Sequence, residues 1–185
     1  PGRFARTSTR RARWTRTDVA VTSAPRIVVR EVRTGVRPVR LRLPFRFGAV
    51  TLEACPQLFV EVRVEVEGRG DAHFGQAAEM MVPRWFDKRA DRTPADNVRD
   101  LAASLERAIG AYADDAPATP FGLHVRHHAA LMAADGEATA LSRAYGAALL
   151  DRAVLDATCR ALGLPFAAAV RSNVLGLQAD GALFP

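Results

Sequence analysis

Cys55 and Cys159 are the only cysteines among 185 residues. That excludes a disulfide-stapled scaffold, because a chain of this size folds without staples. The scarcity fits a reducing compartment. No run reaches the roughly 18 uninterrupted apolar residues that a membrane span requires, and the arginines near the start have no apolar stretch behind them, as a secretory signal would. A protein neither membrane-inserted nor secreted is expected, and a cytoplasmic one. Lysine is nearly missing too: of 26 basic residues only Lys88 is a lysine, so a mechanism needing a lysine base or Schiff base has one candidate. Lys88 lies in the polar stretch PRWFDKRAD, whose Trp85 and Phe86 are expected to staple that connection to the helices. Neither an HExxH pattern nor a dinucleotide fingerprint is present, and Gly68, Gly70 and Gly75 read as turn glycines. The chain has no initiator methionine and is expected to be processed or cut from something longer.

What is there is a composition with 49% hydrophobic and 25% charged residues, enough for one good core. The net charge of +6 is unevenly spread. Residues 1–40 hold 11 arginines against Asp18 and Glu31, a net +9, while residues 41–185 hold 15 basic and 18 acidic groups, a net −3. The folded part is therefore slightly acidic, which argues against a nucleic-acid-binding face on it. Residues 1–25 are rich in Arg, Thr and Ser, lack helical or strand period and close with Pro25. They read as a disordered basic lead; an organelle transit peptide and an RNA-binding arm stacking bases on Trp14 share that composition.

From Arg26 the texture is that of strands. Ile27 to Arg33, and then Val39, Leu41 and Leu43 alternating with Arg40 and Arg42, have period two and imply one buried face. The stretch FRFGAVTLEACP reads as a loop. Val60, Val62, Val64 and Val66 then interleave with Glu61, Arg63, Glu65 and Glu67 as a half-buried strand. Gly68 and Gly70 turn the chain into a third strand through His73, Phe74 and Ala77. Antiparallel pairing would set the arginines of the first strand against the glutamates of the second, about 0.2 to 1 kcal/mol per opposed pair.

Helices follow Pro83. Thr93, Pro94 and Asp96 form an N-cap, a first-turn proline and a carboxylate at the positive end of the dipole. Val98, Leu101, Ala102, Leu105, Ile109 and Tyr112 make one amphipathic stripe. Thr119 and Pro120 open a second helix through Val125, Leu131 and Met132. A third spans Thr139 to Leu162 and is stopped by Gly163 and Pro165. The architecture expected is α+β, a three-stranded antiparallel β-meander followed by a three-helix bundle.

The third helix carries Asp151, Ala153, Asp156, Arg160, Gly163 and Pro165, in an order that resembles the segment Asp/Glu, Ala, Asp, basic residue, Gly, Pro of the mandelate racemase and muconate lactonizing enzyme group of the enolase superfamily. Val154 and Cys159 depart from its usual residues. The upstream meander and bundle are similar to the amino-terminal capping domain of those enzymes. The resemblance covers residues 26–175 and implies a capping domain over 26–170, with 171–185 starting a linker to a β/α barrel of roughly 200 or more residues that is missing here. It implies that the full-length protein is a racemase, cycloisomerase or dehydratase, an isomerase or lyase abstracting a proton α to a carboxylate with Mg²⁺ holding the enediolate. The barrel would carry the metal ligands and bases. This chain would then hold no cofactor and catalyse nothing alone, and its partners would be its own barrel, a homo-oligomer partner and a small carboxylate substrate. Phe45, Arg46, Phe47 and Thr51 fall where the first specificity loop of such enzymes lies, and His73 in the region of the second. They are the expected substrate contacts, with Arg46 suited to a carboxylate and the aromatics to excluding water. The competing reading of Phe45 and Phe47 is a hairpin connection tucked onto the core, and of His73 a partly buried strand histidine.

Other candidates carry less. His124 and His128, at i and i+4 beside His127, have the spacing to share a metal, but no acidic residue stands in that turn, and a semi-exposed helix face accounts for them equally. Asp151 and Asp156, five apart, point to different helix faces and form no catalytic dyad; Asp156 is expected to cap or to form a salt bridge within the domain. The alternative functions are a stand-alone binding module whose Arg-rich lead takes polyanions, and a small intact enzyme using His73, His124 and Arg46. The latter lacks any recognisable nucleophile, base and orienter.

Overall fold

The structure is a computed structural model that describes residues 24–113, 116–133 and 138–177. The basic lead expected over residues 1–25 lies outside the described residues except for its last two, as does the end of the chain from 178 onward. Three strands, β1 (Ile27–Phe47), β2 (Val50–Val66) and β3 (Ala72–Met80), form an antiparallel sheet in the order β1-β2-β3. Four helices follow: α1 (Pro94–Tyr112), α2 (Pro120–Ala133), α3 (Ala140–Leu162) and the short α4 (Phe166–Arg171). The expected α+β meander and helical bundle are what the chain forms, with α4 as an addition.

β2 is the spine. Val60, Val62, Val64 and Val66 turn inward against the helices and are buried, while Glu61, Arg63 and Glu65 alternate outward. The register places Arg33 opposite Glu61 and Glu31 opposite Arg63. Arg30 reaches Glu65 at 2.8 Å and Arg63 reaches Glu31 at 3.7 Å, so the outward charges set register as the alternation implied. α3 lies across β2 and β3, and the approach is close at Gly75. A Cβ there would run into the Ala153 carbonyl oxygen and the Ala157 amide of α3, and would stand 2.7 Å from the Ala157 methyl. Small residues on both sides, Gly75 against Ala153 and Ala157, let strand and helix backbones nearly touch. Asp156 then accepts the Gln76 amide at 2.9 Å and the Arg160 guanidinium at 2.9 Å, the salt bridge within the domain that was expected.

The capping signals operate as read. Thr93 accepts the Asp96 amide at 3.1 Å while the Asp96 carboxylate accepts the Thr93 amide at 2.8 Å, a reciprocal capping box. Gly163 closes α3 in the left-handed conformation, φ 63°.

One expectation needs correction. The stretch 45–56, read as a loop, is strand on both sides of a two-residue turn at Gly48 and Ala49. Pro38 lies on the edge strand, and Pro56, opposite it, uses its carbonyl to accept the Met81 amide at 2.9 Å. Pro165 ends one helix and also opens α4 as its N-cap. Beyond α4, Val174 and Leu175 are buried with Cys159 and Ala169, so packed structure continues to at least Leu175. No helix among the described residues is long and apolar enough to cross a membrane.

Candidate functional site: the hairpin tip and the loop beside it

Beyond Pro56, β2 has no third strand beside it and pairs with β1 alone, so the hairpin runs out from the sheet as a two-stranded ribbon. Arg40 pairs with Ala54 and Phe45 with Leu52, leaving Leu41 to Pro44 opposed only by Glu53. Such a bulge re-aims side chains, and Leu43 on it is 71% exposed. Gly48, φ 55°, supplies the positive φ that a two-residue hairpin turn requires.

Period two sorts the expected contacts into two sets. Phe45 and Phe47 share one face of β1 and stack with ring centroids 5.7 Å apart. Leu52, paired with Phe45, shares that face and is buried. Arg46 and its ladder partner Thr51 share the opposite, exposed face, and the Arg46 guanidinium donates to the Gly48 carbonyl at 3.4 Å. His73 is elsewhere. It pairs with Val64 near the far end of β2 and meets Asp71 at 2.9 Å, about 45 Å along the strand from Val50. The structure thus unites Phe45 with Phe47 and Arg46 with Thr51, on two faces of one tip, and leaves His73 apart.

A residue not counted among the expected contacts completes the aromatic face. Trp85, from the β3–α1 loop, meets Phe47 edge-on at 5.3 Å and is still 51% exposed. The expectation that Trp85 staples its loop to the helices is corrected to a contact with the hairpin; Phe86 does pack on the bundle, edge-on to Tyr145 at 5.1 Å. The loop is held rigidly. Arg84 adopts φ 61°, a strained value for a side chain with a Cβ, and its amide donates to the Oδ1 of buried Asn97 at 2.7 Å. Asp87, also buried, accepts the Arg89 amide at 3.0 Å and its guanidinium at 2.7 Å. The Arg89 hydrogen bonds hold the Asp87 carboxyl below the usual carboxylate range, against the opposing pull of burial. No local signal marked Trp85, because its neighbour Phe47 is remote in sequence.

The remaining candidates take other roles. His124 lies 5.0 Å from His128, ring to ring, but its Nδ1 is 2.7 Å from Asp151. Among the described residues no group of three or more His, Cys, Asp or Glu side chains is placed to hold a metal ion. Burial pushes the Cys55 and Cys159 thiols up, so neither is an activated nucleophile. Arg46, His73 and His124 stand on the hairpin tip, the far end of the sheet and α2. The tip can bind, orient and exclude water; the described residues present no acid–base constellation there.

No family model matches the sequence, and no curated protein matches it. Solved structures do match in fold. An enolase from alpha pretobacterium bal199 with bound magnesium shares 18% identity, with a TM-score of 0.55 over 78% of this chain and 34% of that one. An enolase from Bradyrhizobium complexed with magnesium and mandelic acid shares 15%, with a TM-score of 0.55 over 79% of this chain and 35% of that one. A mandelate racemase/muconate lactonizing enzyme-like protein from Rubrobacter xylanophilus shares 20%, with a TM-score of 0.50 over 77% and 33%. The resemblance seen in the third helix therefore holds at the level of fold. This chain spans about a third of the length of each of these structures.

Proposed function

We propose that this chain is the capping domain of an enolase-superfamily enzyme, supplying walls of a substrate site whose catalytic groups lie in a β/α barrel of the full-length protein. One observation carries the reading: the fold likeness takes in nearly four-fifths of this chain and only a third of the enzymes it is similar to. A tip bearing binding groups without an acid–base set agrees with it. In the full-length enzyme the reaction would be abstraction of a proton α to a carboxylate. Magnesium is named with two of the neighbours, and no group of three or more metal-ligating side chains stands together among the described residues; in this reading that chemistry would fall to the barrel.

The roles of the tip follow from its two faces. Phe45, Phe47 and Trp85 would shed water from the substrate and from the charge developing on it. Arg46, with Thr51 beside it on the face opposite those rings, would pair the carboxylate of a small substrate by reaching round the end of the ribbon. His73, paired with Val64 at the far end of β2, would take no part in that contact. The partner that would cover the apolar side chains left open on α4 and the segment after it, Phe166 at 57% exposure, Val170 and Leu177, is the barrel or a second copy of the chain.

The test is kinetic. The full-length protein should wash deuterium from D₂O into the α position of a 2-hydroxy or 2-amino carboxylate. Phe47→Ala, Trp85→Ala and Arg46→Ala should each raise KM about tenfold, as loss of about 1.4 kcal/mol of binding would, while His73→Ala leaves it unchanged. Absence of exchange with every such acid sinks the reading. Exchange with unaltered KM in the three tip variants removes the tip from it. The 185-residue chain alone should scatter light in a concentration-dependent way through its thermal melt; a sharp melt independent of concentration counts against a bared docking face.

A further inference from the structure

Away from the hairpin, one carboxylate collects three helices. Asp151 of α3 accepts the Tyr112 hydroxyl of α1 through Oδ1 at 2.9 Å, and meets His124 Nδ1 of α2 through Oδ2 at 2.7 Å. The helices it joins are unequally embedded. Buried side chains on α1 include Leu101, Leu105, Ala108 and Tyr112, and α3 is lined with them from Ser142 to Cys159. α2 buries only Pro120, Leu123 and Leu131. Its hold on the bundle therefore leans on polar links: the Phe121 amide to the Leu175 carbonyl at 3.0 Å, Arg126 to the Ala116 carbonyl at 2.7 Å, and the bridge to Asp151.

The bridge also borders an open groove. A cavity of about 310 Å³ lies between α2, α3 and the α4 end of the chain, with His124 and Asp151 among otherwise apolar residues such as Phe121, Leu155, Phe166 and Val170. Both members of the pair are partly buried, so water reaches them without screening them fully. The titratable groups around His124 are few. From α3 there is Asp151; from α2, His128 with its ring at 5.0 Å; from α1, Tyr112, on which His127 of α2 packs at 5.5 Å. α4 contributes Phe166 and Val170, which carry no charge. Among the described residues, Asp151 is the acidic group that meets the imidazole.

We propose that the Asp151–His124 bridge is a pH-operated clasp: with His124 protonated it holds α2 against α1 and α3, and on deprotonation α2 loosens first and the groove beside it widens. A neutral imidazole can still donate from Nδ1, but it loses the charge assistance that roughly doubles such a bond. The sign follows from the pair. Its hydrogen bond to Asp151 raises the His124 pKa despite the opposing effect of burial. The extra hold is therefore complete below the ordinary histidine value of about 6.5 and is lost as pH climbs through the raised value. The same carboxylate, after burial itself, pushes the Tyr112 hydroxyl well above the ordinary tyrosine range, so Tyr112 stays a donor throughout.

Hydrogen exchange on the 185-residue chain between pH 5.5 and 8.5, corrected for the intrinsic pH dependence of exchange, reads the clasp directly. Protection of α2 amides should fall about fivefold relative to α1 and α3, the size of a charge-assisted increment. His124→Gln, which keeps a side-chain donor without a titration, should flatten that profile. Asp151→Asn should flatten it as well and lower the His124 pKa seen by NMR. Should Asp151→Asn fail to fold, the wild-type His124 titration decides: it must coincide with the loss of α2 protection. A wild-type α2 whose protection ignores pH overturns the proposal. So does an unchanged profile in His124→Gln, or a His124 titration at a different pH from the loosening.

Discussion

The two ends of the β1–β2 hairpin are one ladder in two settings. Near Val60 to Val66, β2 has a strand on either side and α3 beneath, and its valines are shut away from water. Near Gly48, β2 has β1 alone, four residues oppose one, and Leu43 and Phe45 stand exposed. A two-stranded ribbon is marginal in water by itself, so the outer end relies on Leu52 and on Phe47 against Trp85. The fold concentrates its burial in the three-stranded end and leaves the outer end open.

That contrast can be attacked at several points. Gly75→Val should do the most damage, because a side chain there must part β3 from α3; a loss of about 4 kcal/mol or more in urea unfolding is expected, or failure to fold. Leu149→Ala, fully buried in α3, should cost about 3 kcal/mol by the same measurement. Asn97→Ala strips the Arg84 amide of its acceptor and should cost about 1 to 2 kcal/mol, with the limited-proteolysis rate of the loop bearing Trp85 rising. Leu43→Ala on the bulge should change stability by less than about 0.5 kcal/mol. A Leu43→Ala penalty near that of Leu149→Ala would erase the distinction between the two ends.

What was legible in the sequence was local. The valine alternation, the Thr93–Pro94–Asp96 start of α1 and the Gly163 stop of α3 each depend on residues within a turn or two, and each appears as read. The stretch 45–56 was the exception: expected as a loop, it is strand on both sides of the turn at Gly48 and Ala49. The candidate contacts divide the same way. That Phe45, Arg46 and Phe47 sit together is sequence adjacency. That Arg46 faces away from the two rings follows from period two only once the segment is known to be strand. Contacts made by folding were not readable: Trp85 reaches Phe47, His124 reaches Asp151 and Gly75 admits α3, each across a long stretch of chain.

The four-against-one mismatch between Leu41–Pro44 and Glu53 has a consequence for how such a chain can change. A slip of one residue in a ladder turns every inward side chain outward, yet slack taken up at this point stops before Arg40 and Ala54. Residues 41–53 can therefore be lengthened, shortened or exchanged as a cassette while the valines keep their alignment. Selection, or an engineer, can retool what the molecule presents there without reopening the question of how it folds.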